Sequence, residues 1–444
     1  MILVGNGTVV TRDPENPFIF QGAVVTNEQG LIEKVGTWEQ LKAEYPQAEF
    51  VDAHGGVIMP GLINMHHHIY SAFARGLSLT NYNPKGFMDI LEGMWWRLDR
   101  TLDLADTYHS ATSTYLDCIR NGVTTVFDHH ASYGAITGSL HEISRAADLM
   151  GIRTCLCYEV SDRDGADKCR ESIEENLSFI HTAAGRDDDM QHAMMGMHAA
   201  FTLSDKTLEA CLKDLPQGVG CHVHVAEGMD DATHSLRTYG CSVVRRLMDR
   251  GVLGPQSIAA HSIHLNWEDM QLLKESQTMV VHNPESNMGN AVGCANIPSY
   301  YQAGLCLGLG TDGYTSDMLE SYKAANALAK HNAKDPTVGW TEIPSMLFEG
   351  NPALAGRYFR TPLGVLKEQA AADIIILDYD PLTPMTADNI NGHLLFGTNG
   401  RSVITTMVAG KVLMKDRVFQ HVDEAKILAD ARQQAAQLWS RVNR

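Results

Sequence analysis

The chain has 444 residues, 44% of them hydrophobic and 20% charged, with a formal net charge of -18. That length suits one large α/β barrel of roughly 250 residues with an accessory domain, or two to three ordinary domains. A composition without low-complexity runs or repeats excludes a disordered or fibrous chain, and the acidic excess with scattered basic residues disfavours nucleic acid or an anionic membrane as partner, leaving a small-molecule substrate.

The N-terminus, MILVGNGTVV, lacks a basic region leading into a long apolar segment, and no run of about 18 uncharged apolar residues occurs, so a cytoplasmic location is expected. Residues 1–55 hold short β pieces, MILVGNGTVVT, GAVVTNEQG and LIEKVG, separated by turn residues. From residue 56 to 361 the texture changes to short apolar runs, each followed by a helical stretch. Eight such runs are read as parallel strands: GVIMPGLIN, GVTTVFD, GIRTCLCYEV, AMMGMHA, GVGCHVHV, SIAAHSIHL, TMVVHN and LCLGLGTD. They predict an α/β fold with a (β/α)8 TIM-like barrel, whose active site lies at the C-terminal strand ends. Residues 362–422 return to β texture in ADIIILDY and SVITTMVAGKVLM, so a small β-sandwich built from both chain ends is expected. The last segment, 423–444, is a helix with Ile427, Leu428, Ala431, Leu438, Trp439 and Val442 on one stripe. Nine cysteines, an odd number without CxxC spacing, fit reduced buried thiols better than disulfides.

Between the first two strands, GFMDILEGMWWRLDR places Phe87, Ile90, Leu91, Met94, Trp95 and Leu98 on one helical face, with Trp95 read as core. Trp96 points the other way and reads equally as a lid over substrate or a subunit contact.

Histidine placement carries the chemistry. Alternation along a strand turns His66 and His68 of PGLINMHHHIY to one face and His67 to the other. A paired imidazole set at a strand's C-terminal end suits a divalent metal with a position left open for water. A lone core histidine would be the plainer reading. Here, however, the fifth to eighth strands also end in polar groups, CHVHVAE, AHSIH, VHNPESN and GTDG, and barrel stability does not require that.

In their order, PGLINMHHH, HVAE, AHSIH, HNPESN and LGLGTDG resemble the amidohydrolase superfamily, specifically its metal-dependent deaminase and chlorohydrolase branch. Within it, whole-chain texture and TVFDHHAS are most similar to the SsnA-type aminohydrolases. The resemblance implies metal ligands at His66, His68, His224 and Asp312, with His222 and His67 in supporting positions. It implies one divalent ion, Zn2+ or alternatively Fe2+ or Mn2+, with Glu159 as the residue that could argue for a second. Asp312 would take a proton from water, Glu227 would shuttle it to the substrate, and His261 would polarise the substrate and stabilise the tetrahedral intermediate. Substrate contacts are expected from His198, Trp96, His130, Asn283 and Ser286, the last two having helix capping as an alternative. Arg75 reads equally as a substrate contact and as a surface arginine. The resemblance implies hydrolysis of a non-peptide C–N bond in a small cyclic substrate, with deamination of a purine-like heterocycle ahead of ring opening, dechlorination or an inactive scaffold. A homodimer or higher homo-oligomer is the assembly expected of this branch.

Overall fold

Strand pairing sorts the chain into three sheets, described over residues 1–443 of a computed structural model. Both chain ends share the largest, a nine-stranded sheet. Ile2–Val10 pairs with Phe18–Thr26 and with Val57–Pro60, and Ile374–Leu377 joins Val57–Pro60 to Val403–Val408. Val57–Pro60, expected at the head of the first barrel strand, therefore lies in the terminal sheet, and the first parallel strand is Leu62–His67. The chain changes sheets at Gly61, where a Cβ would meet the Thr124 side chain at 2.3 Å, so only glycine fits.

Four strands form one parallel sheet: Leu62–His67, Val123–His130, Arg153–Tyr158 and the short Gln191–Ala193. Five form another: Met195–Ala199, Cys221–Val225, Ile258–His261, Met279–His282 and Cys306–Leu309. Isolated parallel bridges, His67 to Asp312 and Val160 to Met197, connect the two sheets. Each of the eight apolar runs read from the sequence contains or overlaps one of these strands.

Ile374–Leu377 is buried throughout because both its faces are covered. Ile374 and Ile376 pack with Val4, Val9 and Val24 of the terminal sheet, while Ile375 and Leu377 join the main core. At roughly 1.5–3 kcal/mol per buried aliphatic side chain, this short strand is a principal tie between the two bodies. Beside it, Arg153 of a parallel strand forms a buried ion pair with Asp373, Nε to Oδ2 at 2.9 Å.

The closing helix runs Glu424–Val442, and Arg444 of the expected span lies outside the described residues. Its Ala431, Leu438 and Val442 pack against Tyr70, Phe73 and Leu98, and Trp439 Nε1 donates to the Phe73 carbonyl at 2.7 Å. The C-terminal helix thus props the loop after the first parallel strand. All nine cysteines are free, and among the described residues no helix is long and apolar enough to cross a membrane.

Candidate active site

The loop propped by the closing helix leads directly from His66 and His68. His66 Nε2 and His68 Nε2 lie 3.8 and 3.1 Å from Asp312 Oδ1, and His68 Nε2 lies 3.2 Å from His224 Nε2. His67 turns away as strand alternation requires: its Nδ1 accepts the His68 N–H at 2.7 Å, and its Nε2 faces the Ser316 hydroxyl at 3.3 Å.

Each ring is held through its other nitrogen. His68 Nδ1 donates to the His129 carbonyl at 2.5 Å, His224 Nδ1 donates to the His198 carbonyl at 2.8 Å, and His66 Nδ1 meets His222 Nε2 at 2.8 Å. These contacts direct the Nε2 lone pairs inward. His66 Nε2 is buried with no hydrogen-bond partner among the described residues. Burial, aided by neighbouring imidazoles, holds His66, His222 and His224 far below the usual histidine range, so they are neutral and available as ligands. Ligands about 2.1 Å from a common tetrahedral ion lie roughly 3.4 Å apart, and the separations of 3.1, 3.2 and 3.8 Å fit that spacing. The donor set thus fits a borderline divalent metal.

Against burial, the pairing with His68 keeps the Asp312 carboxyl well below the usual carboxylate range. Asp312 Oδ1 accepts from the Gly313 N–H at 2.7 Å, and Oδ2 accepts from the Ser286 hydroxyl. His68 itself, despite burial, is raised to about 9 by that same carboxylate.

His261 Nε2 stands 3.6 Å from both Glu227 Oε2 and Asp312 Oδ2. Its ring is oriented by Asn287, whose Oδ1 lies 2.8 Å from Nδ1. Burial pushes Glu227 up to about 7; His261 opposes the shift and Asp312 adds to it. Ala226, His261 and Asp312 have φ of +46°, +66° and +54°, a left-handed conformation costly for residues with side chains and concentrated here at the ends of three strands.

The structure therefore brings His66, His68, His224, Glu227, His261 and Asp312 together. His198, Trp96 and Ser286 line the same pocket. Three expected substrate contacts are not brought to it. His130 is turned to the other side of its strand, where Nε2 bonds the Ser132 hydroxyl at 2.9 Å and the ring packs on Tyr158. It is His129 that enters the cluster, its ring 4.6 Å from that of His224. Asn283 is fully buried at the start of the short helix Pro284–Gly289, away from the pocket wall. Arg75 has an exposed side chain paired with Asp117 at 3.1 Å in an adjacent cleft.

The tryptophan segment departs from its expected phase. Phe87–Ile90 and Trp96–Asp99 are α-helical, but Leu91–Trp95 between them is a π-helix. One inserted residue rotates the next turn by about 100°, so both Trp95 and Trp96 reach the pocket, Trp96 only 8% exposed.

Sequence reasoning missed Asn287, the closing residue of HNPESN, and Asp128, whose Oδ1 accepts the Ile69 N–H at 2.7 Å and pins the turn after His68. It also missed that Glu159 lines the pocket. Burial raises the Glu159 carboxyl, with Arg163 opposing that shift.

Residues 57–413 match the model of the amidohydrolase family. A 5'-deoxyadenosine deaminase of Methanosarcina barkeri is 30% identical over 448 residues, covering 100% of this chain and 99% of the relative. A 5-methylthioadenosine/S-adenosylhomocysteine deaminase of Thermococcus onnurineus is 32% identical over 426 residues, 94% of each chain. An adenosine deaminase from Xanthomonas campestris, solved with bound zinc, has a similar fold, with a TM-score of 0.87 at 22% identity over 99% of this chain and 98% of the other.

Proposed function

The chain belongs to the amidohydrolase family, and from that premise we propose that it is a metal-dependent hydrolase that deaminates a purine-like N-heterocycle. The observation that carries this reading is the meeting of Glu227, His261 and Asp312 beside the inward Nε2 atoms of His66, His68 and His224. The deaminase names of full-length relatives favour an exocyclic amine as leaving group.

The parallel strands are read as one closed (β/α)8 barrel, supported by the His67–Asp312 and Val160–Met197 bridges, and the terminal sheet as the β-sandwich of both chain ends. His66, His68, His224 and Asp312 would hold one divalent ion, with zinc the first choice because imidazole and carboxylate suit it. Such an ion supplies Lewis-acid activation, lowering the pKa of water from 15.7 toward about 7.

The chain's own groups do the rest. Asp312 orients the attacking water and takes its proton. Glu227, raised to about 7 by burial and within reach of His261, is poised to give a proton to the ring nitrogen and, once recharged by the proton Asp312 took from water, another to the leaving amine; the hydroxyl proton released as the carbonyl forms restores Glu227. His261 gives its Nδ1 proton to Asn287 Oδ1 and turns Nε2 toward Glu227 and Asp312; as the imidazolium, with Nε2 protonated as well, it donates to the oxygen on which negative charge develops. Phe87, Leu91, Trp95 and Trp96 cover the ring and exclude water.

The test is elemental analysis of purified protein with an ammonia-release screen over aminopurines, pterins and aminopyrimidines. One equivalent of metal with ammonia from an amino-heterocycle is expected. Substrate loss without ammonia would replace deamination by ring opening, and protein without metal would refute the reading.

A further inference from the structure

Resting on the deaminase reading, we propose that Glu159 is a specificity-determining residue, whose carboxylate accepts a hydrogen bond from a donor on the substrate edge remote from the reacting carbon. Glu159 comes directly after the strand Arg153–Tyr158 in the four-stranded sheet, whereas His224, Glu227, His261 and Asp312 come from the five-stranded sheet, so the pocket is walled by carboxylates from both sides.

Its backbone is fixed at both ends. The Glu159 N–H donates to the His130 carbonyl at 2.7 Å, and its own carbonyl accepts from the Tyr133 hydroxyl at 2.7 Å. The side chain, 5% exposed, has no comparable anchor. Its nearest polar neighbours are Arg163 at 3.6 Å and His129 Nδ1 at 3.7 Å, both beyond hydrogen-bond distance. Arg163 is committed elsewhere, bonded to Asp99 and lying 4.0 Å over the Tyr133 ring. His129 gives its Nε2 proton to the carbonyls of Met197 and His222, so the nitrogen facing Glu159 is an acceptor too. The carboxylate is therefore balanced by an ion pair with Arg163 but receives no hydrogen bond, and buried acceptors in native proteins are hydrogen-bonded or serve a ligand. Here the open direction is the pocket.

His198 reinforces the polarity of this wall. The Thr202 hydroxyl gives its proton to the Ala199 carbonyl, so His198 Nδ1 is the donor to Thr202 at 2.8 Å, and Nε2 is left as an acceptor. Two acceptors lining one pocket select a substrate edge that carries N–H or O–H groups. In a 6-aminopurine that edge is the N3–N9 side, so the donor is either the ring N–H of a free base or a hydroxyl of an N9-linked sugar.

The experiment uses metal-loaded protein carrying Glu227→Gln to halt turnover, with and without Glu159→Gln, and measures binding of three probe sets by calorimetry. The probes are 6-aminopurine bases such as adenine, their 9-methyl derivatives, and their 9-ribosides such as adenosine. A hydrogen bond to a charged group is read as roughly a ten- to hundredfold affinity difference. A ring N–H is established if the free bases bind that much better than the 9-methyl bases and Glu159→Gln, which keeps an acceptor but removes its charge, reduces the advantage. A sugar hydroxyl is established if the nucleosides show the Glu159-dependent advantage over the 9-methyl bases. Unaltered metal content and rescue by Glu159→Asp separate this role from structural support. A preference undiminished in Glu159→Gln, or no Glu159-dependent binding of any probe, overturns the proposal. Ammonia release by the enzyme with Glu227 intact is scored separately, so failure of the deaminase reading leaves the binding comparison decisive.

Discussion

Glu227→Gln separates catalysis from stability. Burial raises this carboxyl from 4.5 to about 7, so the metal-free folded state holds a proton that the unfolded chain releases between those values. Where the folded state binds more protons, stability falls as pH rises, here from about pH 4.5 to 7, and above 7 the full penalty remains. At 1.36 kcal/mol per pH unit the penalty is about 3 kcal/mol, an upper figure because the side chain retains 12% exposure. Glutamine keeps the shape and cannot ionise, so the metal-free variant should resist urea better than wild type at pH 8 and match it at pH 4.5. The metal-loaded variant should keep one equivalent of metal and lose about 100- to 10,000-fold in kcat, the range supplied by a positioned acid–base group. Turnover within threefold of wild type, or a urea difference that does not change between pH 4.5 and 8, would refute the assignment.

His66→Ala and Asp312→Ala should each lose both metal and activity; elemental analysis finding wild-type metal in either removes that residue from the ligand set. Arg75→Ala should leave KM within about twofold, because the side chain is exposed and paired with Asp117 outside the pocket; a tenfold rise in KM would return it to substrate binding. Metal affinity should weaken on acidification, since His68, raised to about 9 beside Asp312, must lose its proton to become a ligand. Chelator competition should show up to about tenfold weaker binding per pH unit between pH 8.5 and 6.5, and a pH-independent constant would contradict it.

Much of the site was legible because its signals are periodic or local. His66 and His68 are two positions apart at the end of a strand, and HxxE, AHS and GTDG sit at strand ends, where a parallel sheet presents its chemistry. The failures have equally specific causes. His129 and His130 are adjacent, so choosing between them requires strand parity to the residue, and a run whose two faces are both buried offers no polar alternation to set it. The Leu91–Trp95 π turn broke the assumption of 3.6 residues per turn. GVIMPGLIN reads as one strand because both halves are apolar; only the clash of a side chain at position 61 with Thr124 reveals the change of sheet.

Glu159 shows a different limit. Nothing in CYEV distinguishes a metal bridge, a core ion pair and a substrate acceptor, since all three require a buried carboxylate at a strand end. The distinction lies in what its neighbours are already doing. Arg163 is bonded to Asp99, and the His129 proton goes to carbonyls of two other strands. Those commitments join residues distant in the chain, so a free acceptor becomes visible only when every nearby donor has been traced to its partner. The same tracing explains why the imidazole cluster suits a metal: each ring's second nitrogen is occupied, which leaves His66 Nε2 without a protein partner. Residue type announces the chemistry in both cases, and the pattern of satisfied neighbours decides which atom performs it.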